Sequence, residues 1–176
     1  MDILNSFITN PTFKVQWLNS PQQMAKQIKS VISQSAQNPA IVHFAMQRTS
    51  DCDGDPVCIA TDFFNFVKFR VEYQDDPNHY ETIIMPDRVL ALLQKYPKVY
   101  GDCATKTALL GTLLTIMHIP VKVALVETMK NGNETYSHVY IIADINGIST
   151  PMDATYRQNI MGWHLPINNN MKLEVF

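Results

Sequence analysis

The chain has 176 residues, 46% of them hydrophobic and 10% aromatic, which describes one globular domain and not a disordered protein. A formal net charge of −2 gives no electrostatic case for nucleic acid, and no apolar run approaches the ~20 residues that span a bilayer. The opening Met1-Asp2-Ile3-Leu4-Asn5-Ser6-Phe7 carries an acid where a secretory leader wants a base, so the expectation is a cytoplasmic protein, in a cell's own compartment or an infected host's.

Thr12-Phe13-Lys14-Val15-Gln16-Trp17-Leu18 alternates, and reads as a short strand or an arm on the surface. Ser20-Pro21-Gln22-Gln23 is a helix start: Ser20 caps, Pro21 suits the first helical position and Gln23 completes a capping box. The helix is predicted to reach about Ala36, with Met24, Ile28, Val31 and Ile32 on one face. Asn38-Pro39 ends it and begins a second helix, Ala40 to Arg48. Residues 49 to 56 form a polar loop. Its Asp51, Asp53 and Asp55 with Gly54 resemble part of a calcium loop, but the required glycine position and the distal glutamate are missing. The alternative is a turn that caps the next helix through Asp55 and Pro56. Cys52 and Cys58 bracket this loop. Without a second pair or nearby histidines they make a poor zinc site, so no metal or cofactor is expected. A reducing cytoplasm favours two thiols here, whereas an extracellular virion favours a disulfide.

The third helix is predicted from Val57 to about Arg70. Val57, Ala60, Phe64, Val67 and Val71 form its apolar seam, widened by Phe63, Phe66 and Phe69. Tyr73 to Pro77 leaves that helix, with a turn at Asp76-Pro77. Pro86 opens a short helix through Leu90 and Leu93 to about Lys95. Tyr96-Pro97-Lys98-Val99-Tyr100 then leads to Gly101-Asp102-Cys103-Ala104-Thr105-Lys106-Thr107. Gly101 relaxes the backbone, Asp102 is a good N-cap, and Cys103 falls at the first helical position. A thiol there feels the positive end of the helix dipole, which favours thiolate. Ala108, Leu109, Leu113 and Ile116 keep the period of a buried helix, which Pro120 ends. Cys103 is therefore either a nucleophile presented at the tip of a core helix or a buried core cysteine.

Val121 to Glu127 reads as a strand and Asn131-Gly132-Asn133 as a turn. A second strand carries His138, and Asn146-Gly147 is a strong hairpin signal before a third that reaches Asp153, for at least three antiparallel strands. Adjacent strands would carry His138 and Asp153 side by side. Tyr136, His138, Tyr140 and Ile142 share one strand face, and Val139, Ile141 and Ala143 the other. If the second set backs the sheet against the core, the first faces the cysteine helix or the cleft. His43, His79, His118 and His164 have no cysteine or acid partner at suggestive spacing. The tail with Gly162-Trp163-His164 and Asn168-Asn169-Asn170 carries no clear element.

Gly101-Asp102-Cys103, His138 opening a hydrophobic strand, and Pro151-Met152-Asp153-Ala154-Thr155 resemble the transglutaminase-like superfamily of papain-fold cysteine enzymes. Val71-Glu72-Tyr73-Gln74-Asp75-Asp76-Pro77, followed by Glu81 and Met85-Pro86, is similar to the lead-in of phage and prophage members. The resemblance covers about residues 57 to 165. It implies an α+β, papain-like fold, as a single domain over 1–176 with a helical part at about 20–100 and a catalytic core at about 100–165. It also implies a Cys103, His138, Asp153 triad acting on a protein or peptide substrate through a thioester. Members often carry acidic residues after the cysteine, where this chain has Ala104 and Thr105.

In that chemistry the Cys103 backbone amide is one oxyanion donor; Tyr100 and Tyr73 are candidates for the second, and Trp163 for the cleft mouth. Water as acyl acceptor gives hydrolysis, and a lysine amine gives crosslinking. The alternative is a catalytically idle domain kept as a phage virion or assembly protein, whose partners would be other virion proteins reached through the N-terminal arm and the amide-rich tail.

Overall fold

A computed structural model describes residues 20–74, 82–130, 133–163 and 171–176. The strand expected at Thr12–Leu18, the turns at Asp76-Pro77 and Asn131-Gly132, and Glu81, His79, His164 and Asn168–Asn170 lie outside them.

Helix α1 (Pro21–Ser35) starts as its sequence dictates: the Ser20 hydroxyl accepts from the Gln23 amide at 3.2 Å, and Met24, Ile28, Val31 and Ile32 are buried. Helix α2 (Pro39–Arg48) is capped by Asn38, which accepts from Ala40 at 3.0 Å. Helix α3 (Pro56–Arg70) is capped by Asp55, which accepts from Val57 at 3.1 Å, the capping role weighed against calcium. Its buried side is Ile59, Ala60, Phe63, Phe64, Phe66 and Val67. Val57 and Phe69, placed on the seam by their spacing, are 44% and 45% exposed. The correction has a simple cause. Adjacent Phe63-Phe64 and Phe66-Val67 shift the centre of the apolar face, so the two end positions rotate toward water.

Between α2 and α3, a single 3₁₀ turn (Ser50–Cys52) and positive φ at Asp53 and Gly54 fold the loop back on itself. Cys52 and Cys58 are joined by a disulfide with Cα atoms 5.6 Å apart. The expectation of two reduced thiols is therefore corrected: the loop itself supplies bonding distance. Such a bond is at home in an oxidising compartment. Closing so short a loop is worth about 2 kcal/mol in the chain-entropy account. Reductant is thus expected to lower the midpoint of thermal unfolding by several degrees, with roughly 2–4 °C per kcal/mol at this size. Thiol titration under non-reducing denaturing conditions should find Cys103 alone; three reactive thiols would show that the bond does not form.

Strand β1 (Val71–Tyr73) follows α3 directly. Helix α4 (Pro86–Lys95) and strand β2 (Val99–Gly101) come next, and β2 pairs in parallel with β1, Val71 opposite Val99 and Tyr73 opposite Gly101. Segments of three residues are too short for periodicity to announce. Helix α5 (Cys103–Ile116) is buried from Cys103 to Leu114, as a core helix should be. A Cβ at Gly111 would collide with Ile32 and Ile141, so this glycine marks where α1, α5 and the sheet come closest.

Strands β3 (Val121–Lys130), β4 (Asn133–Ile145), β5 (Ile148–Met152) and β6 (Met171–Val175) form an antiparallel sheet in the order β5-β4-β3-β6. The hairpin between β4 and β5 turns at Asn146 (φ 56°) and Gly147 (φ 81°), as predicted. Strand β6 falls in the tail that carried no element; it pairs with β3 at the sheet edge. One apolar cluster runs from Met24 to Ala154 and holds α1 to α5 against one sheet face. Ala124, Val126 and Tyr140 make a smaller cluster on the other. The expected α+β class is the observed one. No described helix is long and apolar enough to cross a membrane.

Candidate active site

Helix α5 begins where predicted. The Asp102 carboxylate accepts from the Thr105 amide at 2.8 Å, and Cys103 is the first helical residue, buried and outside the disulfide. Gly101 does not need unusual backbone freedom here. A Cβ on it would press on the Thr105 side chain, so the requirement is space. Ala104 and Thr105 are both buried, and the Thr105 hydroxyl accepts from the Ile84 amide at 3.1 Å. These positions brace the helix.

Helix α5 and strand β4 run side by side in the same direction. The Thr107 hydroxyl donates to the Val139 carbonyl at 3.1 Å, and Gly111 lies against Ile141. Four helical residues rise ~6 Å and two strand residues ~6.6 Å, so the two elements stay level. Cys103 stands one turn back from Thr107, at the N-terminal tip of the helix.

The parity expectation is corrected in one respect. Val139, Ile141 and Ala143 pack in the cluster with α5, so the face that carries His138 and Tyr140 is the one turned from the body of that helix. His138 sits opposite Val126. Its ring stacks near Tyr140 at 5.9 Å and near Tyr156 at 6.4 Å, and Tyr156 meets Tyr73 at 5.3 Å.

His138 and Asp153 do meet. Nε2 lies 2.9 Å from Asp153 Oδ2, and each residue is 2% exposed. The cause is the hairpin register: Ile141 pairs with Met152, the last residue of β5, and Asp153 follows it directly. Burial alone would push the Asp153 carboxyl up. The His138 hydrogen bond and charge, with hydrogen bonds from Thr155, outweigh it and hold the carboxyl below its ordinary range. An ionised Asp153 accepts from Nε2–H, which makes Nδ1 the nitrogen available for proton exchange. Burial, then the Asp153 charge, pushes the Tyr140 hydroxyl up to about 12, so it stays protonated.

A polar scaffold holds the segment after β5. Thr155 N donates to Asp153 Oδ1 at 3.0 Å, and Asn159 Nδ2 to the Asp153 carbonyl at 3.1 Å. Two buried lysines reach it as well. Lys106 Nζ donates to the carbonyls of Thr155 and Val71, and Lys68 Nζ to that of Asn159. Sequence reading passed over both lysines and Tyr156. The available signal was a lone lysine inside each of two helices with buried apolar faces.

The other predicted residues are spread around this centre. Tyr73 joins it through Tyr156. Tyr100 is 61% exposed on β2, its neighbours Val99 and Gly101 buried. Trp163 is 37% exposed, in the turn where its amide donates to the Ile160 carbonyl. Among the described residues, no group of three or more His, Cys, Asp or Glu is placed to hold a metal ion.

No family model and no curated protein matches this chain. Among solved structures, it shares its fold with a candidate protease of Parabacteroides distasonis, at a TM-score of 0.58 and 16% identity over 79% of this chain and 27% of that one. A candidate cysteine protease of Cytophaga hutchinsonii matches more loosely, at a TM-score of 0.46 and 16% identity over 85% of this chain and 55% of that one. The chain thus spans about a quarter of the first protein and about half of the second.

Proposed function

We propose that this chain houses a cysteine-dependent amide or peptide-bond hydrolase site of the papain-like, transglutaminase-like kind, with Cys103 as nucleophile, His138 as general acid and base, and Asp153 as the group that orients the imidazole. The observation that carries the reading is the buried 2.9 Å contact between His138 Nε2 and Asp153 Oδ2. Beside it stands the tie from Lys106, three residues past Cys103, to the Asp153 segment.

The steps follow from ordinary chemistry. Cys103 sulfur, as thiolate, attacks the amide carbonyl carbon, and the developing oxyanion takes a hydrogen bond from the first-turn amide of Cys103. The tetrahedral intermediate collapses to a thioester, and the amine leaves with a proton from the imidazolium of His138. His138 then takes a proton from water, which attacks the thioester and releases acid and thiol. A lysine amine in place of water would leave an isopeptide crosslink. Cys103 begins its helix and does not lie along it, so this chemistry asks the imidazole only to reach the tip. This matters because His138 stands on the face turned from the helix body.

The test is covalent. The full chain is incubated with a mixed set of peptide acyloxymethyl ketones, and adducts are located by peptide mass analysis. The adduct is expected on Cys103, and the Cys103→Ala variant should carry none. Failure of every probe to label Cys103 would return the chain to the other role, a domain of this fold that serves an assembly such as a virion without catalysis.

A further inference from the structure

Helix α5 carries one charged side chain, Lys106, and it is 2% exposed. Its ammonium donates to the Val71 carbonyl at 2.6 Å and the Thr155 carbonyl at 3.1 Å. The first acceptor begins β1; the second lies two residues past Asp153. One side chain thus ties together the helix that starts at Cys103, the β1 strand and the segment that holds the carboxylate. The charged groups that act on it are Asp153 and Glu72, which favour its ammonium form, and Arg157 and Lys68, which oppose it. Burial outweighs them all and lowers its pKa to about 8.

A buried ammonium is costly, and an apolar residue of the same length would fill this space without that cost. The geometry says what the charge does here. Thr155 is also the residue whose amide binds Asp153 Oδ1, and Oδ2 is the atom that meets His138. Holding the Thr155 carbonyl restrains the residue whose amide aims the carboxylate. Lys68 holds the same segment farther along, at Asn159, with its ammonium over the rings of Phe64 and Phe69. It supports the loop and does not aim the carboxylate.

We propose that Lys106 is the positioning residue of this site: its ammonium, through the Thr155 carbonyl and its charge beside Asp153, holds the carboxylate in the orientation that accepts from His138 Nε2. The proposal rests on the triad reading above for its catalytic meaning, but the contact that it explains is structural and can be read separately.

The experiment uses the full chain labelled with ¹⁵N-histidine, and the variants Lys106→Met, Lys106→Gln, Lys106→Arg and Lys68→Met. Two quantities are read: the downfield imidazole N–H resonance of His138, which reports its bond to Asp153, and the pH midpoint of iodoacetamide labelling at Cys103. In Lys106→Met the resonance should be lost, and the labelling midpoint should rise by about one pH unit, a tenfold change in thiolate at a given pH. Lys106→Arg should restore both, and Lys68→Met should leave both as in the parent. Should Lys106→Met fail to unfold cooperatively, Lys106→Gln decides in its place, since it keeps an N–H donor without the charge. A parent-like resonance and midpoint in the neutral variant would overturn the proposal, and so would an equal loss in Lys68→Met. If Cys103 of the parent labels like an ordinary thiol, the catalytic reading falls, and the His138 resonance still reports whether Lys106 positions Asp153.

Discussion

At pH 6, Cys103 is expected to react with iodoacetamide about tenfold faster than an ordinary cysteine thiol, and His138→Gln is expected to abolish that advantage. The size follows from two opposed effects. An ordinary thiol with a pKa of about 8.5 is roughly 0.3% thiolate at pH 6. A helix-tip thiol paired with an imidazolium, with a pKa of ~6 or less, is at least half ionised, a gain above a hundredfold. Nucleophilicity falls as the pKa falls, with a slope of about 0.4–0.5, which takes back about a factor of ten. Gln is the replacement of choice because its amide can still donate to Asp153, so a loss of reactivity is not a loss of fold. With Cys52 and Cys58 joined, Cys103 is the single thiol among the chain's three cysteines, and the readout needs no assignment. A labelling profile across pH 5 to 9 that His138→Gln leaves unchanged would mean that no activated nucleophile exists here.

His138→Ala is a different experiment, with a large cost in stability. From sequence, a histidine lining a cleft should be removable without harm to the core. The structure buries it with Asp153, and removal of one partner strands a buried carboxylate, which costs about 3–5 kcal/mol. The double variant His138→Ala/Asp153→Ala should lose less than the sum of the single changes, with a coupling on the order of 1–3 kcal/mol. The pH dependence has a definite sign. The folded state holds the Asp153 carboxyl below its ordinary range, so the folded state binds the proton less readily than the unfolded chain. That contribution is fully present above the ordinary carboxyl range, near pH 4, and is lost as the pH falls through the depressed folded value. Asp153→Asn should flatten this acid limb. Urea unfolding between pH 2 and 7 measures both effects, and single-variant costs that simply add would show that the two side chains are not coupled.

Much of the frame was legible locally. Ser20-Pro21, Asn38-Pro39, Asp55-Pro56 and Asp102 before Cys103 each start a helix as read, because a cap is settled by groups two or three residues apart. Asn146-Gly147 set the register of its hairpin for the same reason, and with it the meeting of His138 and Asp153. The ordered cysteine, histidine and aspartate were therefore visible before any tertiary contact was known.

What only the tertiary structure decided depends on partners far away in the chain. Nothing local marks Lys106 until β1 and the Asp153 segment, 35 and 49 residues distant, offer it two carbonyls. The pairing of β1 with β2 and of β6 with β3 has no periodic signature in segments this short. The side of the sheet on which His138 stands followed from which set of β4 side chains packs under α5, a choice that alternation states but does not resolve. In each case the local pattern lists the alternatives, and the burial of a shared core selects one of them.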